Sequence, residues 1–171
     1  MKEQTDERAD RDAVKKYLQQ YHTAKNQKRI LENRHRELGR ELADPTLGSA
    51  FKSMPTSKTK KTEGAVSVIY RIAEVETRIE QQRQEVAKAV LHVMDLVDLL
   101  LPNSMERQVV ELRYIDCKGW DKISGEVHMS RSSVFEHHNA ALEKIAGNKR
   151  AQKLVAEYAE KYRWSVRTPM E

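Results

Sequence analysis

Apolar side chains recur every third or fourth residue over two long stretches of this chain. In the first, Val14, Tyr17, Tyr21, Ala24, Lys28, Leu31, His35, Leu38 and Leu42 step by alternating 3 and 4. That spacing keeps one face of a helix turned toward a partner helix. Lys28 and His35 are its polar members, and Asp44-Pro45 disfavours further helix. The second row is cleaner: Ala65, Val68, Ile72, Val75, Ile79, Gln82, Val86, Ala89, Val93, Leu96 and Leu100, closed by Leu101-Pro102. Each predicted helix is roughly 50 Å long at about 1.5 Å per residue. Similar lengths and facing rows predict a long antiparallel helical hairpin, a coiled coil over residues 1–101, with polar seam residues setting its register. Ile69, Val90 and Val97 widen the second stripe beyond the needs of two helices, which predicts self-association as a dimer or tetramer.

Residues 44–63 between the rows are rich in Ser, Thr, Lys, Gly and Pro, and a connection of this length predicts a flexible or functional loop. Its Lys58, Lys60 and Lys61 could touch a phosphate backbone. The pattern shortens after Pro102. Ser104 is a predicted cap for a helix whose Val109, Leu112 and Tyr114 face inward. A turn over Ile115–Gly119 follows, then a short helix, Asp121–His128, with Ile123 and Val127 inside and the small Ser124 at a close helix approach. Met129-Ser130 makes a tight turn, Met129 filling the angle and Ser130 capping the next helix. That helix, Arg131 to about Ile145, buries Val134, Ala141, Leu142 and Ile145 and turns Arg131, Ser132, Phe135, Glu136 and Asn139 outward. Residues 102–146 therefore read as a helix-turn-helix domain. Residues 147–171 add a short amphipathic helix, with Ala151, Leu154, Val155, Tyr158 and Tyr162 on one face, and a tail around Trp164. The fold class predicted is all-α.

Composition agrees with long solvated helices joined to a small compact unit: 33% of residues are charged and 6% aromatic. The net charge of +5 permits a polyanionic partner. Its distribution is more telling, because residues 104–146 hold 6 basic and 7 acidic side chains, whereas residues 1–43 hold 11 and 8. The predicted reading module is not basic, so attraction to phosphate has to come from individual side chains, the loop, the tail or another subunit. One cysteine, Cys117, excludes an intrachain disulfide and fits a reducing compartment. The highly charged N-terminus is unlike a signal peptide, and no apolar run has the length of a membrane span. A cytoplasmic protein with no membrane partner is expected.

Catalytic chemistry is not expected. No nucleophile elbow, phosphate-cradling glycine loop or two-carboxylate constellation occurs, and no cofactor is implied. His137 and His138 point about 100° apart on a helix, so they make a poor metal pair, and no metal site is predicted. Of the two, His137 falls near the inner face and reads as a hydrogen-bonded core histidine.

The wording of the module adds to the pattern. The segment ERQVVELRY…GWDKISGEVHMSRSSVFEHHNAALEKI resembles region 4 of sigma-70-type factors, without a gap from Lys122 to Ile145. Within that group the chain looks most like the RinA/ArpU-like phage late-gene regulators, in its L-R-Y, W-x-x-I and S-R-x-x-V-x-x-x-H-x-x-A-L words, with Trp120, His138 and Ala141-Leu142 fitting the narrower pattern. The resemblance implies a DNA-binding transcription regulator of a bacterial host cell, an activator of phage late or packaging genes acting on double-stranded DNA, with host RNA polymerase as a further partner. It implies base contacts by Arg131, Ser132 and Glu136, and backbone contacts by Arg113, Lys118, Lys122 and Ser133. Two departures stand out: Cys117 where a glycine is common, and Gly119 where a threonine-type cap is usual. Two other functions stay open: a phage small terminase subunit, although those usually carry the reading module first, and a sigma-like protein-interaction module without DNA binding.

Overall fold

The structure is a computed structural model that describes residues 2–44 and 64–162. The 44–63 loop, apart from its first residue, and the tail around Trp164 lie outside the described residues. The fold is all-α, as expected. Helix α1 is Lys2–Leu18, α2 Gln20–Leu42 and α3 Ala65–Val97. Helix α4, Met105–Val110, continues directly into a π-helical turn, Glu111–Ile115. Helices α5, α6 and α7 are Trp120–Glu126, Arg131–Ala146 and Lys149–Lys161. Among the described residues no strand occurs, and no helix is long and apolar enough to cross a membrane.

Both predicted heptad rows form, and every described member of them is buried or half-buried. The first helix is interrupted at Gln19, although the amide of Gln19 still reaches the Lys15 carbonyl at 3.0 Å. The packing does not divide at 101–102. Described residues of Met1–Thr23 and Lys88–Glu171 form one compact unit, and those of Ala24–Ala87 form a second.

In the second unit α2 and α3 run antiparallel. Gln82 Nε2 donates to the Ala24 carbonyl at 3.1 Å, His35 pairs with Glu76 at 2.9 Å, and Arg71 meets Glu41 at 2.8 Å. Two of the three polar seam residues thus bond across the hairpin and set its register. Lys28 instead pairs along its own helix with Glu32, at 2.9 Å. A two-helix ribbon has no third layer, so Leu31, Leu38, Ile72, Val75 and Ile79 are only half-buried. Outside the seam, Val66, Ile69 and Tyr70 are 57, 53 and 73% exposed. Of the residues expected to widen the stripe, Ile69 is exposed, Val90 is half-buried, and Val97 is enclosed in the first unit's core.

That core decides the first unit. Val14, Tyr17 and Leu18 of α1 meet Val93, Leu96 and Val97 of α3, Ala141, Leu142 and Ile145 of α6, and Ala151 and Val155 of α7. Tyr17 and Tyr158 cross edge-on, with ring centroids 5.1 Å apart. A module of 102–146 alone would bury too little surface to be stable. The two chain ends of the hairpin and the C-terminal helix supply the missing layer.

Candidate nucleic-acid interface

Helix α4 and its π-helical turn stand between two clusters. Val110 and Tyr114 face the core just described, while Val109 and Leu112 face Ile123 of α5 and Val134 of α6, with Met105, Trp120, Val127 and Met129 around them. The Ser104 hydroxyl accepts from the Arg107 amide at 3.2 Å and starts the helix as expected. The Asp116 amide reaches back to the Glu111 carbonyl at 3.0 Å, the wide spacing of a π turn, and ends it. Cys117 then takes a left-handed conformation, φ 57°. This is a backbone that glycine adopts without cost and a cysteine adopts under strain. Gly119 occupies the N-cap of α5 with no side chain to cap it.

Helix α5 ends earlier than expected, at Glu126. His128 lies at φ 52°, and the Met129 amide bonds the Ser124 carbonyl at 3.1 Å, a Schellman closure with a non-glycine residue at its left-handed position. The Ser124 hydroxyl donates to the Met129 carbonyl, which ties the turn to its helix. Because the His128 side chain is exposed, His128→Gly is expected to raise stability by about 1 kcal/mol, and His128→Val to lower it. Denaturant midpoints of the three proteins check this; a midpoint lowered by the glycine would contradict the strained turn.

Ser130 caps α6, accepting from the Ser133 amide at 3.2 Å and donating to the Ser133 hydroxyl at 3.1 Å. Val134, His138, Ala141, Leu142 and Ile145 are buried, while Arg131, Ser132, Glu136 and Asn139 are exposed. The core histidine is therefore His138, not His137, which is half-buried. Tyr114 Oη lies 2.9 Å from His138 Nε2. Burial first, then the positive charge of Lys15, push the His138 pKa down to about 4, against a raising hydrogen bond to Asn139. Burial pushes the Tyr114 hydroxyl up to about 12. A neutral imidazole accepting from a protonated phenol satisfies both groups.

Trp120 is the hinge of this arrangement. Its ring is 4.6 Å from that of Phe135 and 4.9 Å, edge-on, from that of His138, and the Arg113 guanidinium lies 4.6 Å over it. Arg113 also donates to the Lys118 carbonyl at 2.8 Å. Trp120 thereby locks α5, α6 and the preceding turn together.

Of the residues expected at DNA, Arg131, Ser132 and Glu136 share the exposed side of the first two turns of α6. Arg131 makes one loose pair, 3.3 Å from Asp121, with both groups mostly exposed, an interaction worth little and easily exchanged. Ser133 is engaged in the cap. Arg113 is spent on Trp120 and the turn. Lys118 is bonded to Glu126 at 2.8 Å and Asp116 at 3.1 Å, and these carboxylates hold its pKa above the usual lysine value. Lys122 is exposed on α5. Among the described residues no group of three or more His, Cys, Asp and Glu side chains could hold a metal ion.

An all-α chain in which two short helices joined by a tight turn expose one polar helix face is the class that fold and site define. The profile of the family described as "Protein of unknown function (DUF1492)" matches residues 53–146, more than half of the chain, and the protein belongs to that family. Comparison with curated proteins and with solved structures gives no match.

Proposed function

We propose that this protein is a sequence-specific DNA-binding regulator of transcription, with α5, its turn and α6 acting as a helix-turn-helix. The carrying observation is the two-sidedness of α6. Val134, Ala141, Leu142 and Ile145 are anchored in the core, while Arg131, Ser132 and Glu136 are exposed on its first turns. Such a helix can enter a major groove N-terminus first. The Arg131 guanidinium would bond guanine O6 and N7, Glu136 would accept from cytosine N4, and Ser132 would contact a base or phosphate. The resemblance to RinA/ArpU-like regulators and sigma-70 region 4 supports a phage-encoded activator of late or packaging genes, working in the bacterial cytoplasm with host RNA polymerase. Exposed Ile69 and Tyr70 on the hairpin suit self-association, and a dimer would read half-sites about 34 Å apart.

Selection from a random duplex pool tests the reading, with an enriched motif expected. On that motif Arg131→Ala should cost about 1–3 kcal/mol of binding and relax preference at one base pair. Unchanged affinity and preference would remove Arg131 from the base-reading set. No enriched motif would overturn the regulator and favour a protein-interaction module, and a large ring in solution would favour a terminase adaptor.

A further inference from the structure

The reading module is close to neutral, yet half to two-thirds of the hydrogen bonds in a protein–DNA interface go to the sugar-phosphate backbone. Lys118 and Arg113, the cations of the turn before α5, are already committed to Glu126, Asp116, Trp120 and the turn, which leaves Lys122 as the exposed cation of α5. The missing charge lies elsewhere in the same compact unit.

A groove of about 670 Å³ runs between α1 and α6, lined by Arg8, Arg11 and Lys15 on one side and Arg113, Trp120 and Phe135 on the other. Positions 8, 11 and 15 are spaced by 3 and 4, so they form one row along α1. Arg11 is held at 2.7 Å by Glu143 of α6, which fixes the row against the reading helix. Arg8 and Lys15 are exposed and make no ion pair among the described residues. Among the described residues, Asp12 is the one carboxylate lining the groove. After burial, Lys15 and Arg113 both lower the His138 pKa, which places these cations close to the inner end of the groove.

The position suits a duplex. Asn139 also lines the groove and lies two helical turns beyond Arg131, about 12 Å of rise. The major groove is itself about 12 Å wide. With Arg131 at the base edges, the Asn139 flank of α6 reaches the groove wall, where the phosphates stand. From Arg8 to Lys15 the row extends about 10 Å, enough to face neighbouring phosphates of one strand.

We infer that α1 is the phosphate-contacting element of the interface, with Arg8 and Lys15 binding the DNA backbone beside the groove that α6 enters. The inference rests on the DNA-binding reading. It makes the N-terminal helix, rather than the lysine-bearing loop or the helix-turn-helix, the main source of electrostatic affinity.

The test is the double variant Arg8→Gln/Lys15→Gln of the full chain, with Arg8→Lys/Lys15→Arg as the charge-keeping control. Binding to a random-sequence duplex and to the selected motif is followed over a series of salt concentrations. The glutamine variant should flatten the plot of log K against log salt by about two, and weaken binding roughly 30-fold at about 0.15 M salt on both duplexes. Sequence preference should not move, and the control should restore the wild-type slope. An unchanged slope and affinity in a variant of wild-type helicity would overturn the role of α1 while leaving the regulator intact. A changed preference would also overturn it, because phosphate contacts carry no sequence information. Wild-type protein that binds neither duplex would overturn the regulator and this inference together.

Discussion

Leu18→Ala is expected to destabilise the α6-bearing unit by about 2–5 kcal/mol, although residue 18 is far from α6 in the chain. Leu18 is fully buried in the cluster that contains Leu96, Val97, Ala141, Leu142 and Ile145. Removing three of its carbons forfeits transfer energy and leaves a cavity that neighbours from four helices cannot all collapse into. The experiment is chemical denaturation in a Trp164→Phe background, so that emission reports Trp120, with far-UV circular dichroism followed in parallel. Trp120 sits in the stack that binds α5 to α6, and its transition should move to lower denaturant. A Trp120 transition left in place, with only part of the helical signal lost early, would mean that α1 is not part of this unit. Binding should weaken only as far as the folded fraction falls.

Acid should remove roughly 3 kcal/mol from the same unit between about pH 6.5 and pH 4. His138 is 3% exposed, and its pKa is pushed down to about 4 by burial and then by Lys15. In the unfolded chain the same imidazole titrates near 6.5. Across that window the unfolded state holds a proton that the folded state refuses, so stability rises with pH. The contribution is complete above pH 6.5, is lost progressively as pH falls to about 4, and changes no further below that. His138→Gln should flatten this part of the profile while lowering stability at neutral pH, because the bond to Tyr114 and the stack on Trp120 are altered. The Glu106 carboxyl, held low mainly by its hydrogen bond to Lys144, loses its stabilisation only as pH falls below the usual carboxylate value, and the exposure of Lys144 keeps that effect small. A wild-type stability flat from pH 7 to 4 would contradict the buried neutral histidine.

Much of the local structure was legible in the residues. The seam positions, the caps Ser104 and Ser130, and the inner residues of α6 follow from periodicity and from hydroxyls standing just before apolar rows. His138 was also readable: Val134, His138, Ala141 and Ile145 step by 4, 3 and 4, a row that a search for apolar residues alone passes over. Trp120 stood out as part of a word, but its stacking on Arg113 and Phe135 depends on a π-helical turn that no propensity marks. The row Arg8, Arg11 and Lys15 lay among eight acidic residues in the first 43, where net charge says nothing about which side chains face one groove.

The alternation of apolar and polar positions determined by itself that the chain is all-α, where most of its helices lie, and that the helix from Arg131 has an anchored face and a solvated one. Those are consequences of short-range geometry, because 3.6 residues per turn map sequence onto helix faces directly. Only the tertiary structure decided what each apolar face meets. A seam on α1 is satisfied equally well by another hairpin arm, another chain, or α6 and α7, since burial of apolar surface is non-directional. The fold takes the first and the last of these together, with α3, α6 and α7 all packed on α1, because the module around α6 buries little surface alone. That choice brings the cations of α1 beside α6.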